Sequence, residues 1–453
     1  MASSREHILA QTQKRMHRVF TPNQVLGRLK TIGCVAVEIT QRCNLDCTLC
    51  YLSENSQAVR DIPIREVFKR LDAVLAHYGP GAEVQITGGD PTLRKHTELI
   101  AIVRYAKDIG LYPALFTNGI AASRPLLTQL AEAGLCDVAF HVDTTQRREG
   151  YDNEVALNAL REEYIERTRG LGLTVIFNTT VHRDNFAELP QLIQFFARHA
   201  DIVGLTSFQL QAETGRGEWR ARDIIINKQT VQKQLEEGIG KPMPWEVVQV
   251  GHTDCHSYMP TIVSNDSIFP IVDDVDSFSD FMRDFSHVSW DRQASTFNIV
   301  ATFLFALIKQ PRWWLKLIKH GCKQIRLMAK DLVKSAGRTH KLTIFVQNFM
   351  DAKHLEDDRI DACSFMVMTA EGPVSMCKHN AKRDDYILKP LDVANDDGST
   401  EHYEPLKWRD PSRAKNKTAQ ASGARSGAMQ PNAIPTNTIQ PSTIPLKQLN
   451  ESG

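Results

Sequence analysis

Ile39-Thr40-Gln41-Arg42-Cys43-Asn44-Leu45-Asp46-Cys47-Thr48-Leu49-Cys50-Tyr51 continues an apolar run at residues 35–39 that reads as a buried strand. Three cysteines at Cys-x3-Cys-x2-Cys spacing therefore stand where a strand hands over to a loop. Thiolates this close can grip three corners of an iron–sulfur cube and leave its fourth iron without a protein ligand. An open metal position can then take a chelating small molecule, as the open position of a catalytic zinc does. The competing reading is a zinc knuckle with a distant fourth ligand.

Outward from this stretch, short apolar runs recur at residues 83–87, 114–117, 137–142, 174–179 and 205–210. Amphipathic stretches such as 64–78, 98–109 and 189–199 lie between them. Strand–helix alternation of this kind implies right-handed crossovers and a parallel sheet or barrel. The expectation is an α/β fold, a partial (β/α)6 TIM-like barrel, with its ligand outside the carboxyl ends of the strands. After about residue 219 the alternation breaks. Residues 251–270 read as short strands or loops, and 277–285 and 293–334 as helical with a break at Pro311. Residues 342–361 and 364–385 return to short mixed elements. From about 395 the chain is polar and rich in Pro, Ser, Asn and Thr, a composition that cannot offset its ordering entropy. The expected organisation is an N-terminal extension (1–32), a core barrel (33–218), a C-terminal extension (219–394) and a disordered tail (395–453).

Composition agrees with a globular chain: 453 residues, 42% hydrophobic and 24% charged. Lys+Arg is 54 against Asp+Glu 53, a formal charge of +1, which argues against a polyanion binder over the whole chain, and no nucleic-acid partner is expected. The first twenty residues contain no apolar core of a signal peptide. The charge-free, apolar-rich stretch at 293–308 is shorter than the ~20 residues that span a bilayer. A cytoplasmic protein is expected, its nine cysteines serving as ligands or thiols rather than a disulfide framework.

The cysteine spacing resembles that of the radical S-adenosylmethionine superfamily, with a molybdopterin-precursor cyclase-like barrel. The resemblance implies that Cys43, Cys47 and Cys50 ligate a 4Fe–4S cluster whose free iron chelates S-adenosyl-L-methionine. It also implies an electron donor such as a flavodoxin or ferredoxin, and a 5′-deoxyadenosyl radical that abstracts hydrogen from substrate. Leu49 stands where the family more often has an aromatic, and Tyr51 follows the last cysteine instead. Gly88-Gly89-Asp90-Pro91, after the second run, resembles the family's Gly-Gly-Glu-Pro stretch that receives the methionyl amino group, with Asp in place of Glu. Asn118 after the third run, His141 and Asp143 after the fourth and Asn178 on the fifth resemble strand-end groups that meet the rest of the cofactor. A satisfied core histidine and a capping Asp are the plainer readings of His141 and Asp143. Gln209 and Gln211 precede Glu213-Thr214-Gly215-Arg216-Gly217, a loop placed near the adenine by the same resemblance.

Cys136 reads as a buried thiol and Cys322 as part of a helical basic stretch. Cys255 lies in the ligand-rich Gly251-His252-Thr253-Asp254-Cys255-His256, and Cys363 and Cys377 flank a hairpin turn at residues 369–373. Residues 348–380 resemble a subset of the superfamily that includes archaeal tetraether-lipid synthase and the related methanopterin-methylating enzyme. In that subset such cysteines help carry additional clusters. An auxiliary iron–sulfur cluster at Cys255, Cys363 and Cys377, with His252, His256 or His379 as fourth ligand, stands beside the alternative of reduced structural thiols. Between Lys309 and Lys341 the chain has ten Lys/Arg and one acid, Asp331, together with Trp313 and Trp314. Peripheral membrane contact, a nucleic-acid contact and a solvated helix over a core all fit that stretch.

The functional expectation is a radical enzyme acting on an unactivated, small-molecule or lipid-like substrate. The rivals are a radical methyl or carbon–carbon bond-forming transferase and a non-catalytic metal protein contacting a membrane or nucleic acid.

Overall fold

Strand β1 (Cys34–Thr40) is buried along its whole length, and apart from Glu38 its interior is apolar. A strand covered on both faces belongs in a parallel sheet with helices outside. The computed structural model describes residues 33–217, 222–248, 251–285, 288, 294–395 and 397–406. The expected N-terminal extension at 1–32 lies outside the described residues.

Five further strands follow in crossover register: β2 (Glu83–Gly88), β3 (Tyr112–Thr117), β4 (Asp137–His141), β5 (Thr174–Val181) and β6 (Val203–Leu210). Helices α1 (Ile64–Tyr78), α2 (His96–Asp108), α3 (Arg124–Glu132), α4 (Asn158–Thr168) and α5 (Leu189–Arg198) connect them. On α1 the buried positions Val67, Leu71, Val74 and Tyr78 recur every three or four residues, which turns one stripe onto the sheet. Gly79 ends that helix at φ 77°, a conformation that glycine adopts freely. Ser123 caps α3 by accepting from the Leu126 amide, with Pro125 in the first turn.

The C-terminal half does not form a separate layer. Helix α6 (Lys228–Ile239) packs beside α5, and β7 (His256–Ser264) with β8 (Ser267–Pro270) forms a hairpin. Helices α7 (Val275–Asp284), α8 (Thr296–Ile308) and α9 (Arg312–Lys334) then lead to β9 (His340–Asn348). A short α10 (Asp357–Asp361) precedes the hairpin of β10 (Phe365–Thr369) and β11 (Gly372–Ser375), followed by α11 (Met376–Ala381) and α12 (Arg383–Ile387). The sheet order is β11-β10-β1-β2-β3-β4-β5-β6-β9-β7-β8. Strands β9 and β10 add in parallel to the two edges of the six-stranded core, next to β6 and β1. The partial barrel is thus present and is longer than the six strands expected. The expected border between residues 218 and 219 falls between β6 and α6, and α6 packs against α5 of the core. Rings of Phe345 on β9, Phe365 on β10 and His256 on β7 lie 5.3–5.5 Å apart, so the two ends of the sheet approach through side chains.

The described residues reach 406 and so include the first part of the tail expected from residue 395. Strand β12 (Leu391–Ala394) pairs with β13 (Thr400–Tyr403), whose Tyr403 is buried and donates its hydroxyl to the Arg60 carbonyl at 2.7 Å. The Arg60 amide also donates to the Pro405 carbonyl at 3.0 Å, so this segment is tied down through ring and backbone together. The tail beyond 406 lies outside the described residues.

Below the end of β4, Arg161 on α4 is fully buried and pairs with the equally buried Glu154. Glu154 also accepts from the Thr144 amide and the Asn185 side chain, and Arg161 donates to the Val142 carbonyl at 2.8 Å. Removing one partner strands the other charge away from water. We therefore expect Arg161→Ala to destabilise the fold by ~3–5 kcal/mol. The check is a lower denaturant midpoint with an unchanged slope; a loss under about 1 kcal/mol would show the pair to be dispensable.

Candidate functional site

All three cysteines of the 43–50 loop line one cavity of 1190 Å³ that runs through the barrel, from the carboxyl ends of the strands beside this loop to their amino ends at Glu83, Tyr112, Asp137 and Thr174. This exceeds the roughly 300–1,000 Å³ of an ordinary small-molecule site, so there is room for a cofactor and a second molecule. Gly89, Asn118, His141 and Asn178 line the same cavity.

The loop is held there by backbone contact. The Gly89 amide donates to the Thr40 carbonyl at 2.9 Å and the Asp90 amide to the Arg42 carbonyl at 2.8 Å. A Cβ on Gly88 would sit 1.9 Å from the Thr40 oxygen, and one on Gly89 would sit 2.0 Å from the Arg42 oxygen. Gly88 also has φ +130°, so no other residue serves there. The other side of the loop is pressed just as closely. A Cβ on Gly215 would lie 2.2 Å from the Cys50 oxygen, and one on Gly217 would lie 2.5 Å from the Cys50 nitrogen. The Thr48 amide is bonded to the Thr145 carbonyl beyond β4 at 2.9 Å.

Asp90 does not line the cavity. Its fully buried carboxylate accepts from Thr92, from the Thr117 hydroxyl at 2.9 Å and from the Asn118 amide at 2.9 Å. It joins the end of β2 to the end of β3 and so positions Asn118. The Asn118 side-chain amide donates to Asn44 at 2.6 Å and lies 3.8 Å from the Cys43 sulfur.

Asp143 is likewise buried behind the wall. It accepts from Thr145 and from the Thr180 amide at 2.7 Å, and its Oδ2 lies 2.7 Å from His141 Nε2. Burial alone would raise its pKa, but the His141 charge, that hydrogen bond and those from Thr145 and Thr180 hold it well below the usual range. Burial would depress His141, but Asp143 outweighs it and the imidazole is raised. Asp143 therefore orients His141, which faces the cavity.

Burial raises both the Cys43 and Cys47 thiols. For Cys47 the nearby Asp143, Cys50 and Cys43 push the same way, while Arg148 opposes. A cationic group seated among these sulfurs would reverse that balance. Among the described residues no three His, Cys, Asp or Glu side chains converge on a point that could hold a single metal ion. The Thr214 hydroxyl, buried on the same wall, has no partner and offers a polar contact to a bound group.

Residue-by-residue reading missed the support behind Tyr51. Glu38 lies mid-strand in β1 and pairs with Arg383 of α12 at 2.8 Å, both buried. Arg383 also bonds Gln41 at 3.0 Å and the Tyr51 carbonyl at 3.1 Å, and its guanidinium covers the Tyr51 ring at 4.7 Å. The Tyr51 hydroxyl reaches the Gly88 carbonyl. A lone acid inside an apolar strand was the available signal, since a buried charge demands a partner.

Cys255, Cys363 and Cys377 come near one another elsewhere, close enough for Cys255 to act on both of the others. The β10–β11 hairpin, in the register Met366↔Ser375, returns Cys377 towards Cys363. The Arg359 Nε lies 3.4 Å from the Cys255 sulfur, and the Met350 amide is 3.5 Å from the Cys377 sulfur. Burial raises all three thiols; Cys363 feels both of the others, and Cys377 is pushed up to about 11. Of the suggested fourth ligands, His379 lies 3.9 Å from Glu38, and His252 lies 3.7 Å from Asp358. His256 is buried on the cavity wall with neither ring nitrogen bonded. Gln209 faces the cavity and Gln211 is buried. Cys136 is buried and Cys322 exposed.

Residues 37–196 match the model of the Radical SAM superfamily. This superfamily uses a 4Fe–4S cluster and S-adenosylmethionine. PqqA peptide cyclase of Bradyrhizobium diazoefficiens is 36% identical over 165 residues, covering 35% of this chain and 42% of its own. The 7,8-dihydro-6-hydroxymethylpterin dimethyltransferase of Methanocaldococcus jannaschii is 28% identical over 186 residues, covering 40% of this chain and 36% of its own. The chain thus spans less than half the length of these relatives. Among solved structures, Streptococcus suis SuiB bound to precursor peptide SuiA resembles it at 14% identity and TM-score 0.37, over 47% of each chain. Native anSMEcpe with bound AdoMet and Kp18Cys peptide resembles it at 16% identity and TM-score 0.34, over 46% of this chain and 59% of that one.

The His141–Asp143 pair has a definite pH signature. With its folded pKa raised, His141 contributes stability fully present below its unfolded value of about 6.5 and lost as pH rises through the folded value. With its folded pKa depressed, Asp143 contributes stability present above about 3.9 and lost as pH falls through the folded value. In Asp143→Asn, burial acts on His141 against only the weaker pull of Glu154, so its imidazole resonances should titrate at lower pH than in the parent chain, read by NMR on the metal-free protein. An unchanged midpoint would contradict the pairing.

Proposed function

We propose, from the premise that residues 37–196 of this chain constitute a radical SAM domain, that the protein reductively cleaves S-adenosylmethionine and takes a hydrogen atom from an unactivated carbon held in its barrel. In this reading Cys43, Cys47 and Cys50 ligate the 4Fe–4S cluster. The observation that carries it is their common exposure to one cavity with Gly89, Asn118, His141 and Asn178. When bound, the cluster and cofactor supply one-electron cleavage of the sulfonium and a deoxyadenosyl radical.

The chain's own residues bind, orient and exclude water. Gly88 and Gly89 seat the cysteine loop, Gly89 lines the cavity where the methionyl end would lie, and Asp90 is a positioning residue behind them. Asn118, His141 and Asn178 offer polar atoms to the rest of the cofactor, and Asp143 orients His141. Apolar walls such as Phe116, Ile176, Leu205 and Phe345 keep water from the reacting carbon. An external one-electron donor of the flavodoxin or ferredoxin type completes the proposal.

For the substrate, the apolar walls and the cavity's reach to Phe278, Phe281 and Met282 of α7 favour a long-chain, lipid-like molecule, and a cytoplasmic enzyme with peripheral membrane contact is the setting proposed for it. A peptide substrate is the second reading, favoured by the name of PqqA peptide cyclase. A methyl or carbon–carbon bond transfer is the corresponding alternative outcome, favoured by the named dimethyltransferase. The unbonded His256 marks a place for a polar group of whichever substrate enters. Cys255, Cys363 and Cys377 are proposed to hold an auxiliary iron–sulfur cluster beside this cavity.

Anaerobic incubation with dithionite and S-adenosylmethionine should yield 5′-deoxyadenosine, and Cys47→Ala should abolish it while leaving the circular dichroism unchanged. Cleavage at the parent rate in Cys47→Ala would remove that residue from the role. Cys377→Ala should lower iron and sulfide content by about half, as expected for one of two cubanes, and retain cleavage. Unchanged iron content would return the second trio to ordinary thiols.

A further inference from the structure

Helix α9 is divided lengthwise into three sectors. At about 100° per residue, Trp313, Gln324 and Met328 fall on one side and are buried. Trp314, Leu315, Ile318, Ile325 and Val333 fall within roughly a third of the circumference and are exposed, Leu315 by 78% and Val333 by 82%. Lys319, Arg326 and Lys330 occupy the sector beyond that stripe, with no carboxylate partner among the described residues. Arg312, Lys316 and Lys323 instead pair with Asp284, Asp280 and Asp273. Helix α8 adds Phe297, Phe305 and Ile308, each exposed by more than 60%.

This exposed face is not a loose segment. Phe281 and Phe285, Phe303 of α8 and Trp313 of α9 form a ring cluster with centroids 4.8–5.8 Å apart. The Trp313 indole donates to Asp284 at 2.8 Å, and Ser335, just after α9, bonds Ser264 on β7 at 3.0 Å. A helix pair held by these contacts therefore presents apolar side chains flanked by cations that have no carboxylate partner among the described residues. No helix among the described residues is long and apolar enough to cross a membrane.

We propose that α8 and α9 form a docking surface for an anionic phospholipid bilayer. Charge complementarity selects this occupant. An apolar stripe bordered by lysine and arginine matches the boundary between acyl chains and anionic headgroups. A nucleic acid would use the cations but leave Leu315, Ile318 and Val333 in water. The surface is outside the cofactor machinery, and it names the membrane contact of the reading above. Phe281, which joins the ring cluster, also lines the barrel cavity, so the docked helices adjoin the end of the proposed substrate space.

The test is sedimentation of the full chain with vesicles of phosphatidylcholine containing phosphatidylglycerol, against phosphatidylcholine alone. The protein should pellet with the anionic vesicles and be released as salt rises. Lys319→Ser with Lys330→Ser should weaken apparent affinity by about 25-fold, roughly fivefold for each charge removed. Leu315→Ser with Ile318→Ser should weaken it further than the lysine pair alone when the two are combined. All these positions are exposed, so thermal melting should be unchanged. Failure to pellet at low salt, or equal pelleting of the combined variant, would overturn the proposal. So would a dimer in vesicle-free solution that the same substitutions dissociate, because a second copy would then be the occupant. Deoxyadenosine formation, measured on the same samples without vesicles, should not respond to these substitutions. A chain that cleaves without pelleting refutes the docking surface alone, and one that pellets without cleaving refutes the radical reading alone.

Discussion

Backbone seated against backbone at Gly88 and Gly89 is the constraint on which the site depends. The end of β2 touches the Thr40 and Arg42 carbonyls so closely that a single added carbon at either glycine would overlap an oxygen. Gly215 and Gly217 close on the opposite side of the cysteine loop with the same lack of space. The loop is therefore positioned by main chain on two sides, and its thiols are left to face the cavity. Around this clamp the side chains act mostly at one remove. Asp90 holds Asn118, Asp143 holds His141, and Arg383 holds Tyr51 and Glu38. Such second-tier support keeps first-tier groups in one geometry.

Much of the core was legible because its strands are buried on both faces and so read as apolar runs. Each of the six runs from β1 to β6 is a strand, and the amphipathic stretches that became α1, α2 and α5 carry a helical stripe. The cysteine spacing was legible for a different reason: a loop ligand set has to be close in sequence when one short loop supplies it. The roles of Asp90 and Asp143 were only half legible. Their positions at strand ends were visible, but whether a carboxylate points into a cavity or behind its wall depends on neighbours such as Thr117 and Thr180, which come from other crossovers. The Glu38–Arg383 pair joins residues far apart in sequence, so only the anomaly of an acid in a buried strand could announce it.

The C-terminal half was harder because its strands serve the barrel edges. β9 and β10 have no local marker that they run parallel to β6 and β1; that is settled by tertiary packing. The tail was expected from residue 395 on composition, and near that border Tyr403 and Pro405 both bond the Arg60 backbone, a contact across 343 residues that composition does not carry. The same half brings Cys255, Cys363 and Cys377 together from three separate segments and carries the exposed apolar helices. It completes the wall of the cavity as well as adding to its surroundings.

The central claim is that three thiols hold an iron–sulfur cube with one iron open to a sulfonium cofactor. Electron paramagnetic resonance of the anaerobically reconstituted, dithionite-reduced chain, recorded before and after adding S-adenosylmethionine, tests it most directly. To keep one cluster in view, Cys255, Cys363 and Cys377 are replaced together by Ala. The account predicts a reduced 4Fe–4S signal that changes when the cofactor binds. A colourless protein loaded with zinc, or a cluster signal indifferent to S-adenosylmethionine, would contradict it.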